Sequence, residues 1–270
     1  MKKYIQTFAL TLVYVTVSLL AHAQNEFTIP LSDPGKRGKL KVHINYGSIT
    51  VKGTARKDVL VKYTSETDGE DEGDNRKNAD GMRRVGGGGT SIEATETNNQ
   101  VKVQSDSWSH KQNFSIEVPS GFDLDLHTYN DGDLIVNNIQ GELELTNYNG
   151  PITALNVAGS AIATTYNGEI KVTFDKVNEG VPMSFTTYNG DIDISFPATI
   201  KGSMKVRTDQ GEILTNFDIT FKTSGPVQKK DSQSGVYKVI VDEWKRCDIN
   251  GGGPEFTMRN YHGDIFIRKK

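Results

Sequence analysis

A motif of tyrosine, asparagine and glycine recurs along the chain and constrains the fold more than any other feature of the sequence. Its glycines from Gly132 to Gly211 are 18, 18, 22 and 21 residues apart. A repeat of this length is typical of a stacked array, in which each repeat packs only on its neighbours. The clear copies end in Gly47, Gly132, Gly150, Gly168 and Gly190, and two weaker copies end in Gly211 and Gly263.

The residues on both sides of each glycine alternate between apolar and polar types. Two and four positions after a glycine lie pairs such as Ile170 and Val172, and five and seven positions before it lie pairs such as Leu145 and Leu143. Alternation with a period of two indicates a strand with one buried face. Each repeat is therefore predicted to contain a strand, a Tyr-Asn-Gly corner, a second strand and a further turn.

The corner residues favour a tight turn, because Asn-Gly accommodates the positive backbone dihedral angles that such a turn demands. A single Asn-Gly between alternating strands usually indicates a hairpin. Here the motif recurs in register, so a coil that advances to the next rung explains it better, and a meander of hairpins stays open as the alternative. The predicted fold is all-β, a single-stranded β-solenoid with coils of about 20 residues.

The solenoid is predicted to occupy residues 24–270 as one domain with two polar insertions. Residues 66–89 are polar, glycine-rich and almost devoid of apolar side chains, and residues 223–235 interrupt the last coils. Polar, glycine-rich segments such as residues 66–89 form long surface loops or disordered insertions. Exposed terminal rungs, especially the Ile-Phe-Ile strand at residues 265–267, would template pairing with another chain unless they are capped.

The first 23 residues differ from the rest of the chain. Two lysines precede an apolar run over residues 8–20, and small residues follow up to Ala23. This order predicts a secretory signal peptide that is cleaved near Ala23-Gln24. The mature protein is then expected to be exported to the periplasm, the outer surface or the medium, with no membrane span.

Charge and composition argue against several classes of protein. Lys2 and Lys3 are the only Lys, Arg, Asp or Glu residues of the predicted signal peptide, so its removal takes the formal net charge from −3 to −5. A mildly acidic chain gives no support for binding nucleic acid through charge. The single cysteine, Cys247, excludes an internal disulfide and is expected to be a small buried hydrophobe.

Catalytic motifs are missing from the sequence. The histidines outside the signal peptide have no zinc-ligand spacing, and neither a nucleophile elbow nor a phosphate-binding loop is present. We therefore predict no enzyme, no cofactor and no metal site. A polysaccharide lyase is the remote alternative, because such enzymes also use parallel β-helices. Such an enzyme would need charged residues that lie close together, and the candidates are Glu169, Lys171, Lys201, Lys205 and Arg207.

Residues 99–103 (NQVKV), residues 114–119 (FSIEVP) and the repeated Gly-Asp/Glu-Ile strands resemble the putative-adhesin family. These are bacterial β-strand-repeat domains of unknown function, similar also to auto-transporter adhesin head domains. The resemblance covers most of residues 38–270. It implies a β-helix-like fold, a place in the cell envelope and an adhesin-like binding role, with no catalytic residues to carry over.

Two columns of corner side chains are the candidate ligand-binding residues. Tyrosines from stacked coils would form either an internal ladder, which we favour, or an exposed strip suited to a surface glycan or an extended peptide of a cell-surface protein. Asparagines on successive strands are expected to form a ladder of satisfied amides. The alternative role is a structural or signalling envelope component that self-associates or pairs with a membrane partner. The candidate residues are Tyr129, Tyr148, Asn149, Tyr166, Asn167, Tyr188, Asn189 and Tyr261.

Overall fold

A computed structural model of the chain describes residues 25–67, 92–223, 227–230, 237–240 and 244–270. The predicted signal peptide and nearly all of the predicted insertion at residues 66–89 lie outside the described residues, so both stay predictions. Every regular element in the described part of the chain is a β-strand, which confirms the all-β prediction.

The strands of the coils follow from the alternation in the sequence, since one side of most of them is apolar and the other polar. They are β1 (Asn25–Pro30), β2 (Lys39–Tyr46), β3 (Ile49–Thr54), β4 (Asp58–Thr67), β5 (Glu93–Thr97), β6 (Gln100–Ser105), β7 (His110–Pro119), β8 (Asp123–Asn130), β9 (Leu134–Asn137), β10 (Glu142–Asn147), β11 (Ile152–Thr164), β12 (Ile170–Val177), β13 (Met183–Thr186), β14 (Ile192–Phe196), β15 (Gly202–Gln210), β16 (Ile213–Thr215), β17 (Lys222–Thr223), β18 (Val227–Lys230), β19 (Tyr237–Ile240), β20 (Lys245–Ile249), β21 (Glu255–His262) and β22 (Ile265–Lys269).

Most of these strands form two long sheets that face each other across the core. Sheet 1 has the order β1-β4-β7-β3-β9-β11-β12-β14-β22-β16. Sheet 2 has the order β5-β6-β2-β8-β10-β11-β13-β21-β15-β20-β17. Each coil contributes one strand to each sheet, and β11 passes from sheet 1 to sheet 2 within a single strand.

Parallel pairing between coils excludes the hairpin alternative for the repeat. In sheet 1, Ile170 lies beside Ile152 on one side and beside Ile192 on the other. Sheet 2 pairs Leu145 with Leu126 in the same parallel sense. Two strands joined by a tight hairpin would instead run antiparallel. The coils therefore advance from rung to rung, as in a solenoid.

The order of the coils in the stack differs from their order in the sequence at both ends. The coil of β2 and β3 lies between the coil of β6 and β7 and the coil of β8 and β9. The coil of β21 and β22 lies in the same way between β13 with β14 and β15 with β16. The first and the last coil are therefore each inserted between two others, a feature that the repeat in the sequence did not reveal.

This insertion overturns the prediction that residues 265–267 form an exposed terminal rung. β22 has a parallel partner on each edge, and Ile265 and Ile267 are fully buried. Antiparallel strands extend the sheets beyond the outermost coils instead: β4 and β1 in sheet 1, and β5, β20 and β17 in sheet 2. The outermost of these strands include the two-residue β17 and β1, which ends in Pro30, and short or proline-bearing edge strands discourage pairing with another chain.

The second predicted insertion, residues 223–235, is in part a strand rather than a loop. β18 pairs antiparallel with β19 in a separate two-stranded sheet. Residues 224–226 and 231–236 lie outside the described residues, so the full extent of the insertion stays a prediction.

The space between the sheets is filled by the apolar residues that the alternation marked. Large aromatic side chains fill it near the C-terminal coils, where the Phe196 ring stacks between Phe174 at 5.4 Å and Phe256 at 5.6 Å. All three are fully buried. Each such side chain contributes about 1.5–3 kcal/mol through removal of its surface from water. Burial across coils therefore stabilises a fold that has no disulfide.

Glycine is required at the corners because the backbones of neighbouring coils approach each other too closely for a side chain there. A Cβ atom on Gly168 would lie 2.2 Å from the carbonyl oxygen of Gly150, and one on Gly190 would lie 2.3 Å from that of Gly168. Both atoms that would be struck belong to the backbone, so no side chain can move to relieve the clash. The coil spacing itself thus excludes any side chain at these positions.

This close approach corrects the expected role of the Asn-Gly pair. Gly190 has a positive φ of 133°. Of the residues that directly precede a corner glycine, Asp131 is the one in the left-handed region, with a φ of 47°. Asn149, Asn167 and Asn189 do not adopt it. Asparagine is therefore present at these corners for its side chain and not for its backbone freedom.

We predict that Gly168→Ala destabilises the protein by about 2 kcal/mol or more, because the added methyl group meets backbone in the adjacent coil. The matched control is Gly121→Ala, since a Cβ at Gly121 meets nothing within 4 Å. Denaturant unfolding followed by circular dichroism measures both variants. Equal stability of the two would contradict the packing argument.

Candidate functional site

Five tyrosines at the corners of sheet 2 stack into one continuous column on the surface. Neighbouring ring centroids along Tyr129, Tyr148, Tyr166, Tyr188 and Tyr261 are 4.7–5.2 Å apart, with interplanar angles of 2–10°. This is the offset-stacked geometry that aromatic pairs prefer. Trp108 meets the Tyr129 ring edge-on at 5.4 Å and extends the column at one end.

The sequence left open whether the tyrosines form an internal ladder or an exposed strip, and the column has features of both. The rings stack as a ladder, but they are not internal, because Tyr129, Tyr148, Tyr166 and Tyr188 are 37–42% exposed. Each inner ring has a neighbour on both faces, so mainly ring edges and phenol groups reach solvent. Desolvation within the column, followed by the neighbouring phenols, raises the pKa of Tyr188, which therefore remains a neutral hydrogen-bond donor.

The asparagine column beside it is a continuous hydrogen-bonded ladder, as predicted. Asn149 Nδ2 donates to Asn130 Oδ1 at 2.9 Å, Asn167 Nδ2 to Asn149 Oδ1 at 2.8 Å, and Asn189 Nδ2 to Asn167 Oδ1 at 2.7 Å. His262 continues the ladder, with Nδ1 2.9 Å from Asn189 Oδ1. Because that amide oxygen only accepts, His262 Nδ1 carries the proton.

A third, buried row of side chains was missed by the sequence reasoning. Thr165 Oγ1 donates to the Gly150 carbonyl at 2.9 Å, and Thr187 Oγ1 donates to the Gly168 carbonyl at 2.9 Å. Each bond thus joins the residue before the corner tyrosine to the corner glycine of the adjacent coil. The sequence signal was a threonine or asparagine at this position in the copies. The equivalent donors in the other coils are the buried Thr128, Asn147 and Asn260 and the half-buried Thr208.

A groove with a volume of about 390 Å³ runs along the tyrosine column and crosses four coils. The tyrosines form one wall, and the other wall is the next outward-facing row of sheet 2. The buried threonine and asparagine row lies between the walls. Among the described residues that line the groove, Arg259 is the one that carries a charge. The lining residues are Thr146, Asn147, Tyr148, Thr164, Thr165, Tyr166, Thr186, Thr187, Tyr188, Arg259, Asn260 and Tyr261.

Beyond the groove, the row of side chains that forms the second wall continues with His127 and His43. His127 is the strand partner of Thr146, and the rings of His127 and His43 are 5.4 Å apart. Burial, together with the nearby His43, lowers the pKa of His127. His127 is therefore neutral at neutral pH, whereas Arg259 carries a charge at the other end of the groove.

A family model matches residues 38–243 of the chain. The chain belongs to the Toastrack DUF4097 family. This match confirms the resemblance to bacterial β-strand-repeat domains of unknown function. No curated protein matches the chain.

Two solved structures resemble the Toastrack chain over most of its length. A putative cell adhesion protein from Clostridium sporogenes ATCC 15579 is 12% identical, with a TM-score of 0.45, covering 92% of this chain and 100% of that one. A putative adhesin from Bacteroides fragilis NCTC 9343 is 11% identical, with a TM-score of 0.35, covering 93% of this chain and 98% of that one.

The charged residues of the lyase alternative do not converge in the Toastrack domain. Lys171 lies on β12 in sheet 1, whereas Lys205 and Arg207 lie on β15 in sheet 2. Lys205 Nζ lies 4.8 Å from the centroid of the Trp244 ring, and Arg207 pairs with Asp209 at 2.7 Å. Lys205 and Arg207 therefore have partners of their own and lie on a different sheet from Lys171.

The remaining chemically reactive groups are the metal-ligating side chains and the single thiol. No group of three or more His, Cys, Asp or Glu residues could hold a metal ion in the part of the chain that the structure describes. Cys247 is buried, and burial raises its pKa to about 11, so the thiol stays protonated at neutral pH. Within the same described ranges, no helix is long and apolar enough to cross a membrane.

The buried row yields a stability prediction for Asn260→Thr. Asn260 Nδ2 donates to the Gly190 carbonyl at 2.8 Å, but its Oδ1 is buried and has no hydrogen-bond partner among the described residues. Threonine makes the same donor bond at Thr187 and has no second acceptor of this kind to satisfy. We expect a gain of about 1 kcal/mol in the free energy of unfolding, because a buried unpaired acceptor costs about 1–3 kcal/mol.

The reciprocal variant, Thr187→Asn, is the matched control and should lose a similar amount. Guanidinium unfolding of both proteins gives the comparison. A destabilised Asn260→Thr protein, or a stabilised Thr187→Asn protein, would contradict this account of the row.

Proposed function

We propose that this Toastrack protein is an exported, non-enzymatic binding module of the bacterial cell envelope that holds a glycan chain along its tyrosine column. The observation that carries the proposal is the continuous column of five rings, four of them exposed, beside a groove that crosses four coils. Exposed aromatic surface rimmed by polar groups is typical of an interaction site.

The column is rigid before any ligand arrives. Every inner ring is stacked on both faces, and the buried donors next to the rings hold the corners of adjacent coils together. Binding to a preformed surface loses little side-chain entropy, so more of the contact energy contributes to affinity. Tyrosine suits this role because it has few rotatable bonds and both apolar and polar contact surface.

The spacing of the groove favours a glycan over an extended peptide. Contacts repeat along it once per coil, at the separation of neighbouring strands, about 4.8 Å. Alternate side chains of an extended peptide repeat at about 6.6 Å and fall out of register after one coil. The rings of an extended pyranose chain repeat close to the spacing of one coil, so each sugar meets an equivalent set of phenol and threonine groups.

A self-assembling structural component has less support than a binding module. Its main argument was an exposed rung at residues 265–267, and β22 lies inside the stack. A catalytic role has less support as well, because the charged residues of the lyase alternative lie on separate sheets.

The export proposal is tested by the N-terminus of the protein in its own cells. The basic start, apolar run and small residues before Gln24 predict cleavage there. N-terminal sequencing after cell fractionation should find a chain that begins at Gln24 outside the cytoplasm. A cytoplasmic chain that begins at Met1 would contradict the proposal.

The binding proposal is tested by Tyr166→Ser in the mature protein, assayed on an array of bacterial and plant glycans. Tyr166 lies in the middle of the column, so its loss should weaken glycan binding by about tenfold or more. Tyr166→Phe keeps the stack and should show an intermediate loss, because it removes the phenol oxygen alone.

Ile162→Ser is the matched control, since Ile162 is 50% exposed on sheet 2 but does not line the groove. Its glycan binding should equal that of the wild type. Circular dichroism and the Tm establish that each variant is folded. A wild-type protein that binds no glycan, or a Tyr166→Ser protein that binds as the wild type does, would overturn the proposed function.

A further inference from the structure

Arg259 stands out among the charged residues of sheet 2 because its charge is not compensated. It lies on β21, lines the groove and is exposed. Its neighbours across the strands are Thr186 on one side and Arg207 on the other. No carboxylate among the described residues lies within ion-pair distance of its guanidinium group. A cation thus faces the groove without a partner in the described part of the protein.

The nearby cations differ from Arg259 in this respect. Arg207 pairs with Asp209 at 2.7 Å, and Lys205 lies 3.8 Å from Glu255. These pairs hold their charges outside the groove, since neither Arg207 nor Lys205 lines it. The free charge of Arg259 is therefore the one that a molecule in the groove would meet.

Charge is distributed unevenly along the outer face of sheet 2. Alongside the groove, the row next to the threonine wall runs from Glu144 on β10 to Thr257 on β21, and Lys205 on β15 follows one strand further on. One end of the groove lies beside Glu144, whereas the end at β21 carries Arg259 and is flanked by the ion pairs Lys205–Glu255 and Arg207–Asp209. An anionic group on a ligand is favoured at the end where Arg259 lies.

The side chains that form the groove walls also favour an anionic ligand. The stacked tyrosines cover each other's faces, which carry the negative part of the ring quadrupole, and leave ring edges, which carry the positive part. The raised pKa of Tyr188 keeps its phenol a donor. Threonine hydroxyls line the opposite side. Oxygen-rich, negatively charged ligands therefore meet positive edges and donors along the whole groove.

We infer that the groove binds an acidic glycan, with Arg259 pairing with a sugar carboxylate while the sugar rings follow the tyrosine column. This inference rests on the proposed glycan-binding function and narrows its ligand class. A planar guanidinium group matches a carboxylate with two parallel hydrogen bonds. The pair fixes the position of one sugar, and the repeating wall accepts its neighbours in either direction along the chain.

The test uses the mature protein and pairs of oligosaccharides that differ only in charge. Cello-oligosaccharides and malto-oligosaccharides are each compared with their C6-oxidised uronate forms by isothermal titration calorimetry. We expect the uronate form of a binding pair to bind about tenfold more tightly, as one charge-assisted contact implies, and to lose this preference at high salt.

Variants then locate the source of the preference. Arg259→Gln should bind both forms of the pair equally, and Arg259→Lys should retain part of the preference. Lys171→Gln is the matched control, because it removes one exposed positive charge from sheet 1 and should leave the preference unchanged. Tyr166→Ser should weaken the binding of both forms.

The outcomes separate the inference from the proposed function. Equal binding of the neutral and uronate forms, or a preference that survives Arg259→Gln, overturns the role of Arg259. In that case, loss of binding in Tyr166→Ser still supports the proposed function. Absence of binding to both members of every pair counts against the glycan-binding function itself and against this inference with it.

Discussion

The hydrogen bond from a buried threonine or asparagine to the corner glycine of the adjacent coil is the contact on which the rest of the structure depends. Thr165 and Thr187 show it most plainly, at 2.9 Å each. The bond satisfies a backbone carbonyl at a turn, where the sheet ladder cannot. It lies at the coil spacing that the sheet ladders fix, where the corners approach so closely that a Cβ on Gly150 or Gly168 would strike the backbone of the neighbouring coil. An orphaned carbonyl at each corner would cost more than the bond contributes.

Two surface columns follow from that fixed spacing. Neighbouring corners are one strand spacing apart. The tyrosine that follows the buried threonine or asparagine therefore lies at stacking distance from the tyrosine of the next coil, and the asparagine after it lies at hydrogen-bonding distance from the next asparagine. The amides satisfy one another and become part of the scaffold. The tyrosines remain open on one side, where the groove forms. The same corner therefore holds the coils together and creates the surface that we propose as the binding site.

The inserted first and last coils determine which strands pair at the two ends of the stack. The coils of β2 with β3 and of β21 with β22 each lie between two others, so strands distant in sequence must pair at both ends of the stack. Antiparallel strands then extend the sheets beyond the outermost coils. Pairing of distant segments requires loop closure over long stretches of chain, which generally slows folding. In return, the apolar edge of the last repeat is buried and is not available for association with another chain.

The sequence by itself determined the β-strands, the buried side of each strand and the positions of the corners, because alternation and glycine spacing are local properties of the chain. It also identified the tyrosine and asparagine columns as sets of aligned residues. Only the tertiary structure decided that Ile265 and Ile267 are interior, since coil order depends on pairing between distant segments. It likewise decided that the tyrosines are exposed and that Arg259 faces the groove without a carboxylate partner among the described residues. Exposure and charge compensation depend on which strands become neighbours, and a repeat read along one chain does not contain that information.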